Sequence, residues 1–316
     1  MKTIYVDNST LETVAKCDTM ALLSGWHELS SYEESAPLNS GTAVHVALAH
    51  YLDGVSRENC LSIFDDQYRT WSIDNVLETD RLSFGNVYQI LDYWLEMNPL
   101  SDWAFEPVPG TIERPLSAPL CQIGDVQVMY VGMLDALVRD RRNGQLCVLD
   151  HKTTGTINQP WINKFQLASQ FSGYLWLARQ TFPGEAVNAC YVNGIELSKV
   201  PTSNRKCVKH GVLYEECGIL HPNHTILGPI TRSDDQIRAW YDTACKLAKH
   251  FVNLAAWFPE LTDVGQLHQQ GTFNNSCGFC SFQTFCRMDR PVDRIDSLLV
   301  HHPWRSLLEL KVKGEL

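Results

Sequence analysis

The first hundred residues show the apolar spacing of amphipathic helices. Apolar side chains recur three and four positions apart through the first 30 residues, which predicts helical structure there. A break at Pro37–Gly41 precedes the apolar run Thr42–Leu52, which predicts a second helix. A further helical pattern extends from Phe84 to Met97, whereas residues 56–80 are polar and have no clear period. We therefore expect residues 1–100 to form a helical N-terminal part.

The pattern changes to that of strands after residue 110. Three strand-like runs predict strands at Thr111–Leu116, Gln127–Arg139 and Gln145–Asp150. Asn143-Gly144, between the second and third runs, is typical of a tight hairpin turn. Beyond them the pattern predicts a helix, two strands and a helix, at Gln159–Gln180, Val187–Ile195, Val208–Leu220 and Ser233–Trp257, with Ser233 as the N-cap of the last helix.

This order of elements predicts an α/β fold in which a mixed sheet is flanked by helices. We expect a single domain over residues 1–316, with its α/β core at 105–220 and a helical part that contains a cysteine cluster at 230–316. A chain of 316 residues that is 44% hydrophobic can bury a sizeable core.

Charge and hydropathy exclude two classes of protein. The 26 Lys and Arg against 36 Asp and Glu give a net charge of −10, which excludes a nonspecific polycation that coats nucleic acid. No apolar run is long enough to cross a membrane, so we expect no membrane partner. The N-terminal residues also lack the apolar stretch of a signal peptide. We expect a cytoplasmic protein whose 11 cysteines stay reduced.

Two carboxylates and a lysine form the first candidate site. Asp135 lies inside an apolar strand, and Asp150-His-Lys152 follows across the hairpin. The two-residue period of a strand places Asp150 and Lys152 on one face, and an antiparallel hairpin can set Asp135 beside Asp150. Facing carboxylates suit Mg²⁺ or Mn²⁺, beside which a lysine can orient water or offset phosphate charge. The alternative is an exposed hairpin whose ion pair contributes little.

Three further positions could belong to the same site. His45 can supply a metal ligand, although a lone histidine is more often a satisfied core residue. Glu113 can be a ligand or a supporting acid, or simply an edge-strand glutamate. Gln170 and Tyr174 share one helix face with Gln166, as donors beside a metal site or as ordinary surface residues of an amphipathic helix.

A cysteine cluster near the C-terminus indicates a second metal site. Cys277, Cys280 and Cys286 have C-x₂-C-x₅-C spacing, which favours a bound metal over core packing. A fourth ligand could be Cys17, another cysteine or His268, and both an iron–sulfur cluster and a structural zinc remain open. The remaining cysteines are expected to be buried thiols: Cys60, Cys121, Cys147, Cys190, Cys207, Cys217 and Cys245.

The motifs in order resemble those of one nuclease family. They are Gly41-Thr-Ala-Val-His45, Gly132-Met-Leu-Asp135, Asp150-His-Lys152 and Gln170-Phe-Ser-Gly-Tyr174. This series resembles the RecB-like branch of the PD-(D/E)XK nucleases, and with the cysteines it resembles the branch members that carry a 4Fe–4S cluster. Those include CRISPR-associated iron–sulfur exonucleases, the AddB nuclease domain and phage exonucleases. The family's usual Pro-Arg after the first cysteine is replaced here by Asp18-Thr19.

The resemblance implies a role for each residue of these motifs. The metal ligands would be His45, Asp135, Asp150 and the backbone carbonyl of His151, with Glu113 as a further candidate. Lys152 would be the catalytic lysine, with Gln170 and Tyr174 supporting the site and contacting DNA. Cys17, Cys277, Cys280 and Cys286 would hold the 4Fe–4S cluster and join the N- and C-terminal helical segments.

The function implied is a Mg²⁺- or Mn²⁺-dependent DNA exonuclease of a bacterial, archaeal or phage-infected cell. Its partners would be DNA with free ends or single strands, and a helicase or recombination protein on a separate chain. The alternative is a catalytically inactive or zinc-stapled nucleic-acid-binding adaptor in a recombination or repair complex.

Overall fold

The structure is a computed structural model that describes residues 2–31, 35–198, 206, 210–217, 223–266, 277–288 and 292–302. The strands are β1 (Lys2–Val6), β2 (Leu29–Ser31), β3 (Phe105–Pro107), β4 (Arg114–Ile123), β5 (Val126–Leu134), β6 (Ala136–Asp140), β7 (Leu146–Thr154), β8 (Ala189–Glu196), β9 (His224–Thr231) and β10 (Leu299–His301). The helices are α1 (Asn8–Lys16), α2 (Asp18–Ala21), α3 (Ala36–Leu52), α4 (Arg57–Asn75), α5 (Phe84–Met97), α6 (Gln159–Gln166), α7 (Ser169–Thr181), α8 (Tyr214–Cys217), α9 (Asp234–Trp257), α10 (Gln283–Arg287) and α11 (Ile295–Leu298). A π-helical turn follows α2 at Leu22–Trp26, and 3₁₀ turns lie at Leu261–Gln266, Cys277–Phe279 and Val292–Arg294.

Two sheets meet at Asp135. The larger sheet has the order β3-β6-β7-β8-β9, with β7 and β8 parallel and the other pairs antiparallel. The smaller sheet has the order β1-β5-β4, with β1 parallel to β5. Strand β5 ends at Leu134 and β6 begins at Ala136, so Asp135 is the single residue between the two sheets.

The β6–β7 hairpin confirms the turn predicted at Asn143-Gly144. Gly144 has a φ of 71°, a left-handed conformation that glycine adopts without strain. Ala136 is paired with Leu149, and the same register brings Asp135 opposite Asp150. The two acids therefore face each other across the hairpin.

Helices cover both faces of the sheets, which confirms the predicted mixed α/β architecture. Strand β7 shows how: Val148 packs in the core shared with α1, α7 and α9, whereas Cys147 and Leu149 pack in the core shared with α3, α4 and α5. A strand buried on both faces is continuously apolar, as β7 is up to Asp150. A third core contains residues from both ends of the described chain, including Leu22, Leu23, Phe282 and Phe285, and β2 pairs with β10 beside it.

Two strands and two helices of the N-terminal half differ from the sequence prediction. Residues 2–6 form strand β1 and Leu29–Ser31 form strand β2 rather than helix, because they pair with β5 and β10. Helix α3 begins at Ala36 rather than Thr42, since Pro37 occupies its first turn, where no N–H is needed. The polar segment 56–80, which had no clear period, contains helix α4, capped by Ser56.

Four predicted elements in the second half are corrected. The predicted strand Gln127–Arg139 is interrupted at Asp135, and the strand predicted at Thr111–Leu116 begins at Arg114. The helix predicted at Gln159–Gln180 is divided into α6 and α7. The strand predicted at Val208–Leu220 is wrong in its described part, where Tyr214–Cys217 is helical.

Helix α9 follows its prediction, with Ser233 and Gln236 forming a capping box. Within the described ranges, no helix is both long enough and apolar enough to cross a membrane.

Candidate active site

Three possible metal ligands converge where the two sheets meet. His45, Glu113 and Asp135 each place one ligand atom so that all three atoms lie within 4.8 Å of one another. They come from α3, from the residue before β4 and from the junction of β5 and β6. One imidazole and two carboxylates in this arrangement can hold a divalent cation.

Close packing of α3 against β7 positions His45. Gly41 lies one turn before His45, and a Cβ atom on it would be 3.1 Å from Thr153 Oγ1. The missing side chain lets the helix approach the strand that carries Asp150 and Lys152. His45 Nδ1 consequently lies 3.4 Å from Asp135 Oδ2.

Glu113 has a left-handed backbone, with a φ of 45°. Its N–H donates to the carbonyl of Asp135 at 2.9 Å, which holds the two residues side by side. A non-glycine residue in this conformation costs on the order of 1 kcal/mol, and such strain clusters at functional sites. The interpretation as an edge-strand glutamate is wrong, because β4 begins only at Arg114.

Asp150 and Lys152 form a buried ion pair beside this group. Lys152 Nζ donates to Asp150 Oδ1 at 2.9 Å and lies 2.7 Å from Oδ2. The side chain of Asp150 is 1% exposed and that of Lys152 is 28% exposed, so the carboxylate is buried and the lysine remains partly accessible. Between them, the N–H of His151 donates to Asp135 Oδ2 at 2.5 Å and ties β7 to the metal-ligand group.

Burial and neighbouring charges shift the pKa values of Asp150 and Asp135 in opposite directions. Burial raises the pKa of Asp150 to about 6, even though Lys152 opposes the shift. Burial also acts to raise the pKa of Asp135, but His45 and Lys152 outweigh it and hold that pKa well below its usual value. Burial acts to lower the pKa of His45, and the Asp135 carboxylate reverses this to a net rise. The site therefore holds one carboxylate that stays ionised and one that takes up a proton more readily.

His151 is kept neutral by its surroundings. Burial lowers its pKa to about 3. Its Nδ1 accepts a hydrogen bond from Asn193 Nδ2 on β8 at 2.8 Å, and Asn193 is itself fully buried. Sequence reasoning missed Asn193, although a lone amide inside the apolar run of β8 was a signal for a buried polar contact.

Gln170 and Tyr174 lie on one face of α7, next to β5. Gln170 Nε2 donates to the Tyr174 hydroxyl at 2.7 Å. Burial, followed by the charges of Asp150 and Asp135, raises the pKa of Tyr174 well above its usual value. A Cβ atom on Gly132 would lie 3.1 Å from Leu177 Cδ2 and 3.4 Å from the Tyr174 ring, so the glycine lets α7 pack close to β5. Gln166 is the last residue of the separate helix α6. The prediction that Gln166 shares one helix face with Gln170 and Tyr174 is therefore wrong.

Comparison with known proteins identifies the family of this site. The family model described as the PD-(D/E)XK nuclease superfamily matches residues 8–287. The chain belongs to the PD-(D/E)XK nuclease superfamily. No curated protein matches the sequence. The crystal structure of SSO0001 is 14% identical and is matched over 88% of this chain and 94% of its own, with a TM-score of 0.32.

A cavity of about 730 Å³ opens beside Gln170 and Tyr174 of this PD-(D/E)XK protein. Its wall is formed by the start of α1, including Asp7, Asn8 and Glu12, and by Tyr130 and Gly132 of β5.

The four cysteines assigned to a cluster lie where the two ends of the described nuclease chain pack together. Burial raises the pKa of Cys280, and the nearby thiols of Cys17 and Cys277 add to the rise. Cys286 packs against the same apolar core as Cys280. Asp18 follows Cys17 in the sequence, and its Oδ1 lies 2.8 Å from His250 Nε2 on α9.

The remaining cysteines divide into two groups. Cys60, Cys147 and Cys190 are buried, as expected. Cys121, Cys217 and Cys245 are only half-buried, so the expectation of buried thiols is wrong for these three, and Cys207 lies outside the described residues.

Proposed function

We propose that this PD-(D/E)XK superfamily member is a Mg²⁺- or Mn²⁺-dependent deoxyribonuclease of the RecB-like branch that degrades DNA from its ends. The observation that carries the proposal is the convergence of His45, Glu113 and Asp135 next to the Asp150–Lys152 pair. A site with this composition can hold a divalent cation and place an ammonium group beside it.

The donor set fits Mg²⁺ or Mn²⁺. Carboxylate oxygens suit both ions, and the imidazole of His45 suits Mn²⁺ better than Mg²⁺. Asp150 and the backbone carbonyl of His151 would complete the ligand set, with Asp150 leaving its contact with Lys152. The metal, when bound, polarises the phosphate and lowers the pKa of bound water.

The protein's own residues supply the rest of the chemistry. Released from Asp150, the Lys152 ammonium would offset the charge that develops on the phosphate oxygens. Gln170 and Tyr174 would act as donors that position the substrate backbone, since their side chains are already joined by a hydrogen bond. His151 holds Asp135 through its backbone N–H and keeps its own side chain neutral.

Local positive charge supports a polyanionic substrate despite the net charge of −10. Lys164 on α6 holds its ammonium group 5.6 Å from the centre of the Trp161 ring and 4.8 Å from that of Phe165. Burial lowers the pKa of Lys164, and the positive charge of Lys152 lowers it further. The Arg81 guanidinium would meet a Cβ atom on Gly155 at 3.2 Å, so it lies just beyond the end of β7. Three cations near one strand end attract phosphate groups.

We also propose that Cys17, Cys277, Cys280 and Cys286 hold a 4Fe–4S cluster. These four thiols lie where the N- and C-terminal helical segments are in contact, and four thiolates are the ligands that such a cluster needs.

A pair of lysine variants tests the nuclease. Lys152→Ala should abolish Mn²⁺-dependent degradation of end-labelled linear DNA. Lys16→Ala is the matched control, because Lys16 is an exposed lysine on α1 that pairs with Glu12 at 3.6 Å. Full activity in Lys152→Ala would overturn the assigned role of this lysine.

Iron content tests the cluster separately. Protein purified without oxygen should carry iron and broad visible absorption, and Cys280→Ser should lose both. Colourless protein that binds zinc through these cysteines would instead support the adaptor function. A helicase or recombination protein as partner rests on the resemblance alone.

A further inference from the structure

The cavity that Gln170 and Tyr174 line is large enough to hold part of a substrate. Its volume is about 730 Å³, and its walls come from α1, β5 and α7. Pockets of about 300–1,000 Å³ are typical of sites that hold small organic ligands. A molecule of the size of a nucleoside can therefore enter this cavity.

The lining of this cavity is acidic. Asp7, which precedes α1, and Glu12 of α1 contribute carboxyl groups, and the described lining residues include no lysine or arginine. Carboxylates repel phosphate groups and accept hydrogen bonds from N–H donors. The lining therefore favours a neutral group with N–H donors over a phosphate.

Hydrogen bonds hold the acceptors of this lining in place. Asp7 Oδ1 accepts the backbone N–H and the hydroxyl of Thr10, both at 2.7 Å. Glu12 Oε1 accepts Asn8 Nδ2 at 2.9 Å, which fixes the orientation of the Asn8 amide. A ligand would meet acceptors that are already positioned.

Two buried polar atoms of the lining residues have no hydrogen-bond partner within the described part of the chain. They are Asn8 Oδ1 and the Tyr130 hydroxyl oxygen, and Tyr130 is fully buried. Both residues line the cavity. Because buried polar atoms in native proteins are almost always hydrogen-bonded, such a pair at one cavity indicates a ligand that supplies the missing partners.

Strand β5 connects the cavity to the metal-ligand group. Tyr130 and Gly132 line the cavity, and Asp135 follows Gly132 by three positions. At about 3.3 Å per strand residue, this wall of the cavity lies about 10 Å from Asp135. A DNA strand rises by about 3.4 Å per nucleotide, so the separation corresponds to about three nucleotides.

We propose that this cavity binds one nucleobase of the substrate strand and selects bases that carry an exocyclic amino group. The proposal rests on the proposed nuclease function, since it concerns the same substrate. The amino groups of cytosine, adenine and guanine can donate to the Asn8 and Glu12 oxygens, whereas thymine has carbonyl oxygens and no amino group. Leu38, which is 64% exposed, and Met133 supply apolar surface for the faces of the base.

The base preference of DNA binding tests the proposal. The affinities of the full chain for short fluorescein-labelled oligo(dC) and oligo(dT) are measured by anisotropy in EDTA, where metal-dependent cleavage is absent. Wild-type protein should bind oligo(dC) about tenfold more tightly, because one matched base contact discriminates by about that factor. Oligo(dU), which lacks the methyl group of thymine, should bind as oligo(dT) does.

Two variants test the assigned acceptors. Asn8→Ala and Glu12→Gln should each bring the affinities for oligo(dC) and oligo(dT) close together. The ratio of the two affinities is the readout, because the loss of one negative charge changes the binding of both oligonucleotides alike. Asn59→Ala is the matched control, since Asn59 is an exposed amide in the first turn of α4.

The outcomes separate this proposal from the nuclease itself. Wild-type protein that binds oligo(dC) and oligo(dT) equally, or binds neither, would overturn the proposal, as would a preference that persists in both Asn8→Ala and Glu12→Gln. Mn²⁺-dependent cleavage without a base preference would support the nuclease and overturn the base-binding cavity. A base preference that depends on Asn8 and Glu12 in a protein that cleaves no DNA would do the reverse.

Discussion

Gly173 of α7 is the position where one added methyl group perturbs the candidate active site most specifically. It lies between Gln170 and Tyr174, and a Cβ atom on it would be 2.2 Å from the Tyr130 hydroxyl oxygen. The same atom would be 2.9 Å from Trp240 Cζ2. Non-bonded heavy atoms need about 3.5 Å, so Gly173→Ala requires a movement of more than about 1 Å.

Tyr130 cannot provide that movement easily. It is fully buried, and its ring packs edge-on against Trp176 and Trp240 with centroid distances of 5.8 and 5.2 Å. We therefore expect α7 to shift, at a cost of about 2 kcal/mol in the free energy of unfolding. The higher helix propensity of alanine returns at most about 1 kcal/mol. The melting temperature should fall by a few degrees, and DNA cleavage should fall with it because Gln170 and Tyr174 move.

A second substitution separates this clash from other effects. Tyr130→Phe removes the closest atom and leaves Cζ at 3.0 Å from the added methyl, so Tyr130→Phe with Gly173→Ala should recover part of the loss. Tyr130→Phe alone should be nearly neutral, because the hydroxyl is buried and has no hydrogen-bond partner among the described residues. Gly85→Ala on α5 is the control, since nothing lies within 4 Å of its Cβ position. The reasoning would be refuted if the Gly173→Ala variant had the same free energy of unfolding as the Gly85→Ala variant. It would also be refuted if the double variant were no more stable than Gly173→Ala alone.

Three further predictions concern charge and burial. Mn²⁺ affinity should fall as the pH is lowered through about 6, because burial raises the pKa of Asp150 to that value and protons then compete with the metal; calorimetry that shows a constant affinity would contradict this. Lys164→Gln should weaken DNA binding and reduce the slope of its salt dependence by about 1, measured by fluorescence anisotropy, because one phosphate-attracting cation is lost. Asn193→Ala should lower the free energy of unfolding by about 1–3 kcal/mol, measured in urea, because it leaves His151 Nδ1 buried without its donor; an unchanged midpoint would argue against the contact.

The sequence predicted the parts of the site that depend on local pattern. Asn143-Gly144 specifies the β6–β7 hairpin, and the two-residue period of β7 puts Asp150 and Lys152 on one face. Those two facts suffice to expect Asp135 opposite Asp150. Strand β1 also carried a local signal that the helical interpretation missed, since Thr3, Ile4, Tyr5 and Val6 favour strands.

Other parts depend on contacts between distant segments and could not be predicted. The left-handed backbone of Glu113 is held by the carbonyl of Asp135, 22 positions away. The approach of Cys17 to Cys280 requires the packing of the two ends of the described chain. The contact of His210 with Cys217 lies where the pattern indicated a continuous strand, whereas the described residues Tyr214–Cys217 are helical.

The most direct test of the proposed nuclease compares linear with covalently closed circular DNA. Purified protein should degrade the linear DNA from its ends when Mn²⁺ is present, leave the circle intact and lose all activity in EDTA. Asp135→Asn should be inactive under the same conditions, because it removes a metal-ligand oxygen. Cleavage that persists in EDTA or in Asp135→Asn, or wild-type protein that cleaves neither DNA with Mn²⁺ or Mg²⁺, would contradict the account.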